Sequence, residues 1–139
     1  MPRKRPFPNA QVSLGLLLLR LAGGGTMLMA HGWGKASGFL TRMSSFPDPF
    51  GLSSPVSLGL AVFAEVLCAM ALILGFYSRW ASVPLVITML TAAFVVHADD
   101  PWSQKELPLL YAFLFTVQMI TGPGRYSIDR IRLGKNAIS

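Results

Sequence analysis

One stretch of twenty residues, 12–31, is almost wholly apolar and carries a single arginine, Arg20, near its middle. A helix of about 20 residues rises roughly 30 Å, which matches the hydrocarbon thickness of a bilayer. The stretch therefore predicts a membrane-spanning helix. A charge at the midpoint of such a helix costs about 2.5–3.5 kcal/mol on insertion scales, so Arg20 requires a partner among the other helices.

Helical spacing places Arg20, Gly24, Met27 and His31 along one stripe of this predicted helix. Because the stripe carries the charge, it is expected to face the protein interior. The three glycines 23–25 follow Arg20 by one turn, and their missing side chains would let a second helix or a ligand approach the backbone closely.

The composition as a whole is typical of a membrane protein. Hydrophobic residues make up 53% of the 139 residues and charged residues only 13%, and the mean hydropathy is +0.52. The net charge of +6 comes from short basic flanks beside apolar segments, which is a topology signal and does not indicate a nucleic-acid-binding surface. A cleaved signal peptide is the competing interpretation of the first 31 residues, but Arg20 interrupts its apolar region and no small-x-small cleavage site follows.

Four apolar segments predict an all-α membrane protein, a bundle of four transmembrane helices. The predicted spans cover about residues 12–31, 55–76, 80–97 and 106–122. Glycine and proline interrupt residues 32–54, so this segment is predicted to be an extracytoplasmic loop at the membrane surface with a short amphipathic turn around 36–45. Residues 123–139 are predicted to form a basic, solvent-exposed cytoplasmic tail.

The distribution of lysine and arginine orients this bundle. With both termini in the cytoplasm, eight basic residues lie inside: Arg3, Lys4, Arg5, Arg79, Arg125, Arg130, Arg132 and Lys135. Three lie outside: Lys35, Arg42 and Lys105. The excess of positive charge on the inner side favours this orientation.

Depth along the helices suggests a partner for Arg20. Arg20 lies 11 residues, or about 16 Å, below His31, and Glu65 lies about 15 Å into the second span. We therefore predict an Arg20–Glu65 ion pair at half depth, with hydrogen bonds from Tyr111 and Gln118 on one face of the fourth helix. Such a pair either fixes the helix register, or it provides a proton-accepting carboxylate or the polar end of a redox-ligand site.

A second set of polar residues falls near the outer face. His31 and His97 end two outward helices, with Lys35, Glu106 and the pair 99–100 close to the same level. Two histidines and a carboxylate could bind a transition metal, and two histidines on different helices could ligate haem, although the spacing is not that of a known metal or haem motif. Hydrogen bonding or proton transfer is the better-supported role, because histidine changes charge near neutral pH. The aspartates at 99 and 100 are most simply a solvated loop.

These residues, taken in order, resemble the DoxX family over about residues 12–130. The motifs are Arg20, His31-Gly32-Trp33-Gly34-Lys35, Glu65, Leu74-Gly75-Phe76-Tyr77-Ser78-Arg79, His97, Glu106-Leu107, Tyr111 and Gly122-Pro123-Gly124-Arg125-Tyr126-Ser127-Ile128-Asp129. The resemblance implies a bacterial four-helix inner-membrane protein. Members of the family include the small subunit of a thiosulfate:quinone oxidoreductase and parts of membrane oxidoreductase assemblies that handle thiol and oxidative stress.

The resemblance and the polar residues together lead to one functional hypothesis. We expect a quinone-linked membrane redox component, in which Arg20 and Glu65 orient and protonate a quinone-like ligand, and Lys35, Tyr111 and Gln118 also line the ligand site. A separate outward site of His31, His97 and Glu106 would accept protons or face an extracytoplasmic redox partner. The single cysteine, Cys68, cannot form a dithiol relay by itself.

Two alternatives belong to other functional classes. The chain could be a non-catalytic scaffold or accessory subunit of a membrane oxidoreductase or stress-response complex, with its polar core fixing its shape. A small-molecule permease is a weaker alternative, because four helices without an inverted repeat would have to act as an oligomer. All three hypotheses place the chain in contact with the lipid bilayer and in a homo-oligomer or a larger membrane complex.

Overall fold

The computed structural model describes residues 7–136, and this part of the chain consists of helices and turns without strands. The helices are α1 (Ala10–Ser37), α2 (Phe39–Arg42), α3 (Ser54–Leu74), α4 (Ser78–Val96), α5 (Trp102–Thr121) and α6 (Ile128–Asn136). The all-α prediction is confirmed.

The four long helices pack as a bundle. α1 contacts α3, α3 contacts α4, α4 contacts α5 along most of its length, and α5 returns to α1. The shared core is formed by ten buried side chains: Met27, Ala64, Cys68, Ala69, Leu72, Ala81, Leu85, Met89, Ala112 and Phe115. Each helix therefore presents one face to the core and leaves its remaining apolar surface facing outward.

Three helices, α1, α3 and α4, are long and apolar enough to cross a membrane. α5 has 20 residues and packs against α4 and α1, but its first turns include Gln104, Lys105 and Glu106, which lower its hydropathy. The fourth span and the cytoplasmic position of both termini therefore remain predictions. All four predicted segments are nevertheless helical.

Two predicted boundaries were wrong. α1 continues six residues past His31 to Ser37, so Gly32 and Gly34 do not break it, and the connecting loop shrinks to residues 43–53. The tail is not solvent-exposed from its start, because residues 122–124 are buried. The predicted amphipathic turn around 36–45 is confirmed by α2.

Each of the three spanning helices contains one π-helical segment: Met27–Gly32, Phe63–Cys68 and Ala92–Val96. In these segments the backbone N–H bonds to the carbonyl five residues earlier, as in the hydrogen bond from His97 to Ala92. Such turns are rare and occur frequently at functional sites. The first two segments pack against each other.

Glycines fix how α1 lies against its neighbours. A β-carbon on Gly24 would come within 2.7 Å of Ile73, and one on Gly32 within 2.5 Å of the Glu65 carbonyl oxygen. A β-carbon on Gly23 would come within 2.5 Å of Leu114 on α5. The predicted close packing is therefore confirmed for Gly23 and Gly24. Gly25 has open space around it and takes no part.

Replacing Gly32 with alanine should destabilise the bundle, because the new methyl group meets the backbone of α3, which cannot rotate away. We expect Gly32→Ala to lower the free energy of unfolding in detergent by about 1–3 kcal/mol, as overpacking does elsewhere. Gly25→Ala is the matched control, since it makes the same change in the same helix with open space around it. Circular dichroism during denaturant titration measures both, and equal stability of the two variants would contradict the packing described here.

Candidate functional site

Glu65 is the most deeply buried carboxylate among the described residues, and its partner is Lys35. The Lys35 Nζ lies 2.7 Å from Glu65 Oε1 and 2.5 Å from Oε2, while Glu65 is only 2% exposed and Lys35 is 21% exposed. Both carboxylate oxygens thus accept a hydrogen bond from one ammonium group. A buried charge of this kind is tolerated only when it is paired in this way.

This ion pair forms part of the wall of an apolar cleft of about 420 Å³. The cleft lies between α3, α4 and the loop 43–53, and most of its lining is apolar: Phe46, Pro47, Pro49, Phe50, Leu52, Leu60, Ala61, Ile87, Ala92 and Val96. The polar lining consists of Lys35, Ser57, Glu65, Thr88, Thr91 and His97. An apolar pocket with a few polar groups is the usual form of a small-molecule site.

His97 also lines the cleft, directly after the π-helical segment Ala92–Val96. Its Nδ1 lies 2.6 Å from Asp100 Oδ2. The carboxylate orients the ring and leaves Nε2 as the nitrogen available to a second partner. Asp100, predicted as part of a solvated loop, thus positions His97.

The loop over the cleft is held by Asp48. Its carboxylate accepts hydrogen bonds of 2.9 Å from the backbone N–H groups of Leu52 and Ser53 and from the Ser57 hydroxyl. These bonds, chiefly that from Ser53, hold the pKa of Asp48 below its usual value. Ser53 has a φ of 101°, a strained conformation that the bond to its N–H supports. Because the ionised carboxylate accepts them, the bonds are intact above the ordinary pKa of aspartate and are lost only as the pH falls through the lowered value.

Arg20 does not pair with Glu65, so this prediction was wrong. Arg20 is fully buried; its Nη1 donates to the Ile73 carbonyl at 3.2 Å and its Nη2 donates to the Tyr126 carbonyl. Asp129 supplies the nearby negative charge. The guanidinium therefore joins the end of α3 to the segment that follows α5.

The C-terminal end of α3 explains why Arg20 is needed there. Gly75 adopts a left-handed conformation with φ 70°, and the N–H groups of Gly75 and Phe76 bond to the carbonyls of Leu72 and Ala71, as in a Schellman motif. The Ile73 carbonyl has no partner within this motif, and it accepts a hydrogen bond from Arg20. The positive charge also lies at the negative end of the helix dipole.

The error came from the register between two antiparallel helices. The prediction measured depth from His31 because it took His31 as the end of α1. In the structure, Gly32 is level with Glu65, and α1 continues past Lys35 to Ser37. Arg20 is 12 residues from Gly32, or about 18 Å along the helix. We refer below to the end of the bundle with Lys35, Glu65 and His97 as the Lys35 end, and to the opposite end as the Arg20 end.

The remaining predicted site residues lie outside the cleft. Tyr111 donates to Thr26 Oγ1 at 2.9 Å and packs edge-on against the ring of His31. Gln118 is buried and donates to the Leu16 carbonyl at 3.2 Å. Both side chains join α5 to α1.

Two further predictions concern the outer polar residues. Glu106 is exposed on the first turns of α5, and His31 does not line the cleft that His97 lines. Within residues 7–136, no three His, Cys, Asp or Glu side chains come together as a metal site. The predicted outward site of His31, His97 and Glu106 is therefore divided, and of these three residues His97 lines the cleft.

Sequence reasoning missed the cleft itself. Its outer wall is the loop 43–53, whose only signal was the alternation of proline with Phe46, Asp48 and Phe50. No feature of the sequence predicted the π-helical segments. The buried carboxylate was identified correctly, but its partner was sought at the wrong depth.

Large apolar side chains remain exposed around the bundle, including Leu14, Leu18, Leu67, Phe94 and Phe113. Three helices are long enough to cross a bilayer, and buried charges are paired or bonded between the helices. These features define a helical integral membrane protein in contact with lipid. The DoxX family profile matches residues 15–98, more than half of the chain, and the chain belongs to this family.

Two curated relatives are similar over most of their length. An uncharacterized protein of Haemophilus influenzae is 26% identical over 71% of this chain and 69% of its own length. The inner membrane protein YqjF of Escherichia coli is 28% identical over 76% of this chain and 82% of its own length. No solved structure matches the chain significantly.

Removing the Arg20 guanidinium should release the C-terminal segment. Arg20→Met keeps much of the apolar stem but leaves the carbonyls of Ile73 and Tyr126 without their donor, which we expect to lower the unfolding free energy by at least about 1.5 kcal/mol. Hydrogen–deuterium exchange across residues 122–133 should become faster than in the wild type. The exposed Arg42→Met is the control, and unchanged exchange in Arg20→Met would show that the segment is held by other contacts.

The Lys35–Glu65 pair should show strong coupling between its two members. Lys35→Met alone leaves a buried carboxylate unpaired. We expect it to lower the free energy of unfolding by somewhat less than about 3 kcal/mol, because Lys35 is partly exposed to solvent. The double variant Lys35→Met/Glu65→Gln should recover most of that loss, because no charge is left uncompensated. Denaturant titration of the double-mutant cycle measures the coupling, and additive losses would argue against the pair.

Proposed function

We propose that this chain is a quinone-binding component of a redox assembly in the inner membrane, and that its cleft holds the quinone ring. The observation that carries the proposal is the buried Lys35–Glu65 pair in the wall of an apolar cleft of about 420 Å³. A quinone is an apolar ring with carbonyl oxygens at its edge, so it needs apolar walls and a few donors. The cleft offers both.

The donors of the cleft fit this ligand. An ammonium group has three N–H donors, and Glu65 accepts at its two oxygens, which leaves a further donor on Lys35 for a carbonyl oxygen. The Thr91 hydroxyl lines the same cleft. Bound quinone would supply the capacity to accept two electrons and two protons.

The chain's own residues would then handle protons. Glu65 is a carboxylate shielded from solvent, and His97 lines the cleft while remaining partly exposed. An imidazole can both accept and donate a proton, and Asp100 keeps the ring of His97 oriented. We propose Glu65 as the inner proton-transfer group and His97 as its connection to solvent.

The electrons must come from a second protein. The only cysteine, Cys68, is buried, so the chain has no dithiol of its own to oxidise. We propose a two-electron donor protein that docks at the Lys35 end, on the extracytoplasmic side, within a larger membrane complex. The placement of Arg79, Arg125, Arg130 and Arg132 at the opposite end supports this orientation by the positive-inside rule.

Quinone retention tests the proposal. Protein reconstituted in nanodiscs with decylubiquinone is washed, extracted and analysed by chromatography. We expect bound quinone in the wild type and a loss of affinity of about tenfold or more in Lys35→Met/Glu65→Met, which removes the ammonium donor without introducing an amide donor at position 65. Ala92→Leu, which fills the cleft without changing charge, should also lose quinone.

Asp99→Asn is the control, because it neutralises an exposed carboxylate that does not line the cleft. Unchanged retention in both cleft variants would place the quinone elsewhere. A stably folded wild type that binds no quinone would instead favour the accessory-subunit role.

A further inference from the structure

A second cavity, of about 280 Å³, lies at the Arg20 end. It lies between the first turn of α4 and the start of α6, and its lining includes Ser78, Arg79, Trp80, Asp129, Arg132 and Leu133. We call this cavity the basic notch. It lies at the far end of the bundle from the cleft and plays no part in the function proposed above.

Two guanidinium groups define the charge of the basic notch. Arg132 donates to the Tyr77 hydroxyl at 2.6 Å and lies 4.0 Å over the centre of the same ring. Arg79 packs over the backbone of Gly122, whose β-carbon position is 3.1 Å from Arg79 Nε. The guanidinium of Arg132 is thus held by the Tyr77 side chain, and that of Arg79 lies close to the Gly122 backbone.

Asp129 does not cancel this charge. Its carboxylate accepts from the backbone N–H groups of Tyr77 and Ser78 at 2.8 and 3.0 Å, and so it caps the N-terminus of α4. Its distance to Arg132 is 3.4 Å. Two guanidiniums against one carboxylate leave the notch net positive, and the carboxylate is already engaged by three donors.

Ser78 gives independent evidence that the notch takes a ligand. Its side chain is fully buried, yet its hydroxyl oxygen has no hydrogen-bond partner among the residues that the structure describes. Ser78 is also one of the lining residues of the notch. A buried hydroxyl without a partner is uncommon, and its absence of a partner is explained if a bound group supplies one.

We infer that the basic notch binds the phosphodiester headgroup of an anionic phospholipid, through Arg79, Arg132 and the Ser78 hydroxyl. Phosphoryl oxygens accept bidentate hydrogen bonds from arginine. The apolar surface beside the notch fits the rest of the lipid, since Trp80 is 76% exposed and Leu133 is 56% exposed. Tryptophan is enriched at the headgroup level of membranes, where a lipid would present its phosphate.

Native mass spectrometry of the full chain, with equal amounts of phosphatidylglycerol and phosphatidylcholine, tests this inference. We expect the wild type to retain phosphatidylglycerol preferentially. Arg79→Gln and Arg132→Gln should each reduce that adduct about tenfold, because each removes charge-assisted hydrogen bonds. Ser78→Ala should reduce it less while leaving the helices intact.

Arg130→Gln is the matched control, because it makes the same change in charge on α6 at an exposed residue outside the notch lining. It should reduce the amount of the lipid adduct by no more than about threefold, because it weakens only the long-range electrostatic attraction between the protein and the anionic lipid. Equal losses in Arg130→Gln and Arg132→Gln would overturn the inference in favour of diffuse electrostatic attraction.

Two other results would also overturn the inference. Displacement of the lipid by millimolar inorganic phosphate would show that the notch is a site for free phosphate, and equal retention of both lipids would show that it does not recognise anionic headgroups. If Arg132→Gln fails to fold, Arg132→Lys keeps the charge but loses the planar fork, and it should still bind phosphatidylglycerol more weakly than the wild type.

Discussion

The close contact between α1 and α3 determines where every polar group of this bundle lies. Gly24 and Gly32 allow the two backbones to approach, and no side chain larger than hydrogen fits at either position without a shift. Once this register is fixed, Glu65 meets Lys35 at one end and the Ile73 carbonyl meets Arg20 at the other. The two buried charges thus have separate partners, at opposite ends of one helix pair.

Hydropathy was sufficient to predict the fold, because long apolar segments in a membrane can form little other than helices. The starts and ends of the last three long helices were predicted to within about four residues. The depth of the polar groups along the helices was predicted wrongly, because it depends on where α1 ends. Two glycines after His31 suggested an end, and packing against α3 overrides their low helix propensity. That single boundary moved the expected partner of Glu65 from Lys35 to Arg20.

The sequence predicted the buried carboxylate of the candidate site but not the cleft in which it lies. A carboxylate within an apolar span requires a counter-charge, so Glu65 could be singled out from the sequence alone. The cleft depends on the folded loop 43–53, whose position is set by the bonds of Asp48, and on π-helical turns that depend on tertiary packing. His97 lines the cleft, whereas the ring of His31 packs against Tyr111 on α5.

The π-helical turns have a consequence for how this bundle can change. Each one accommodates an additional residue relative to an ordinary helix of 3.6 residues per turn. Rewinding Met27–Gly32 as a regular helix with the same number of residues would turn everything beyond it by roughly 100° around the helix axis. Lys35 would then leave the wall that it shares with Glu65, although no amino acid of either partner had been altered. The winding of this short segment therefore determines the position of the ion pair as firmly as the identities of its two members.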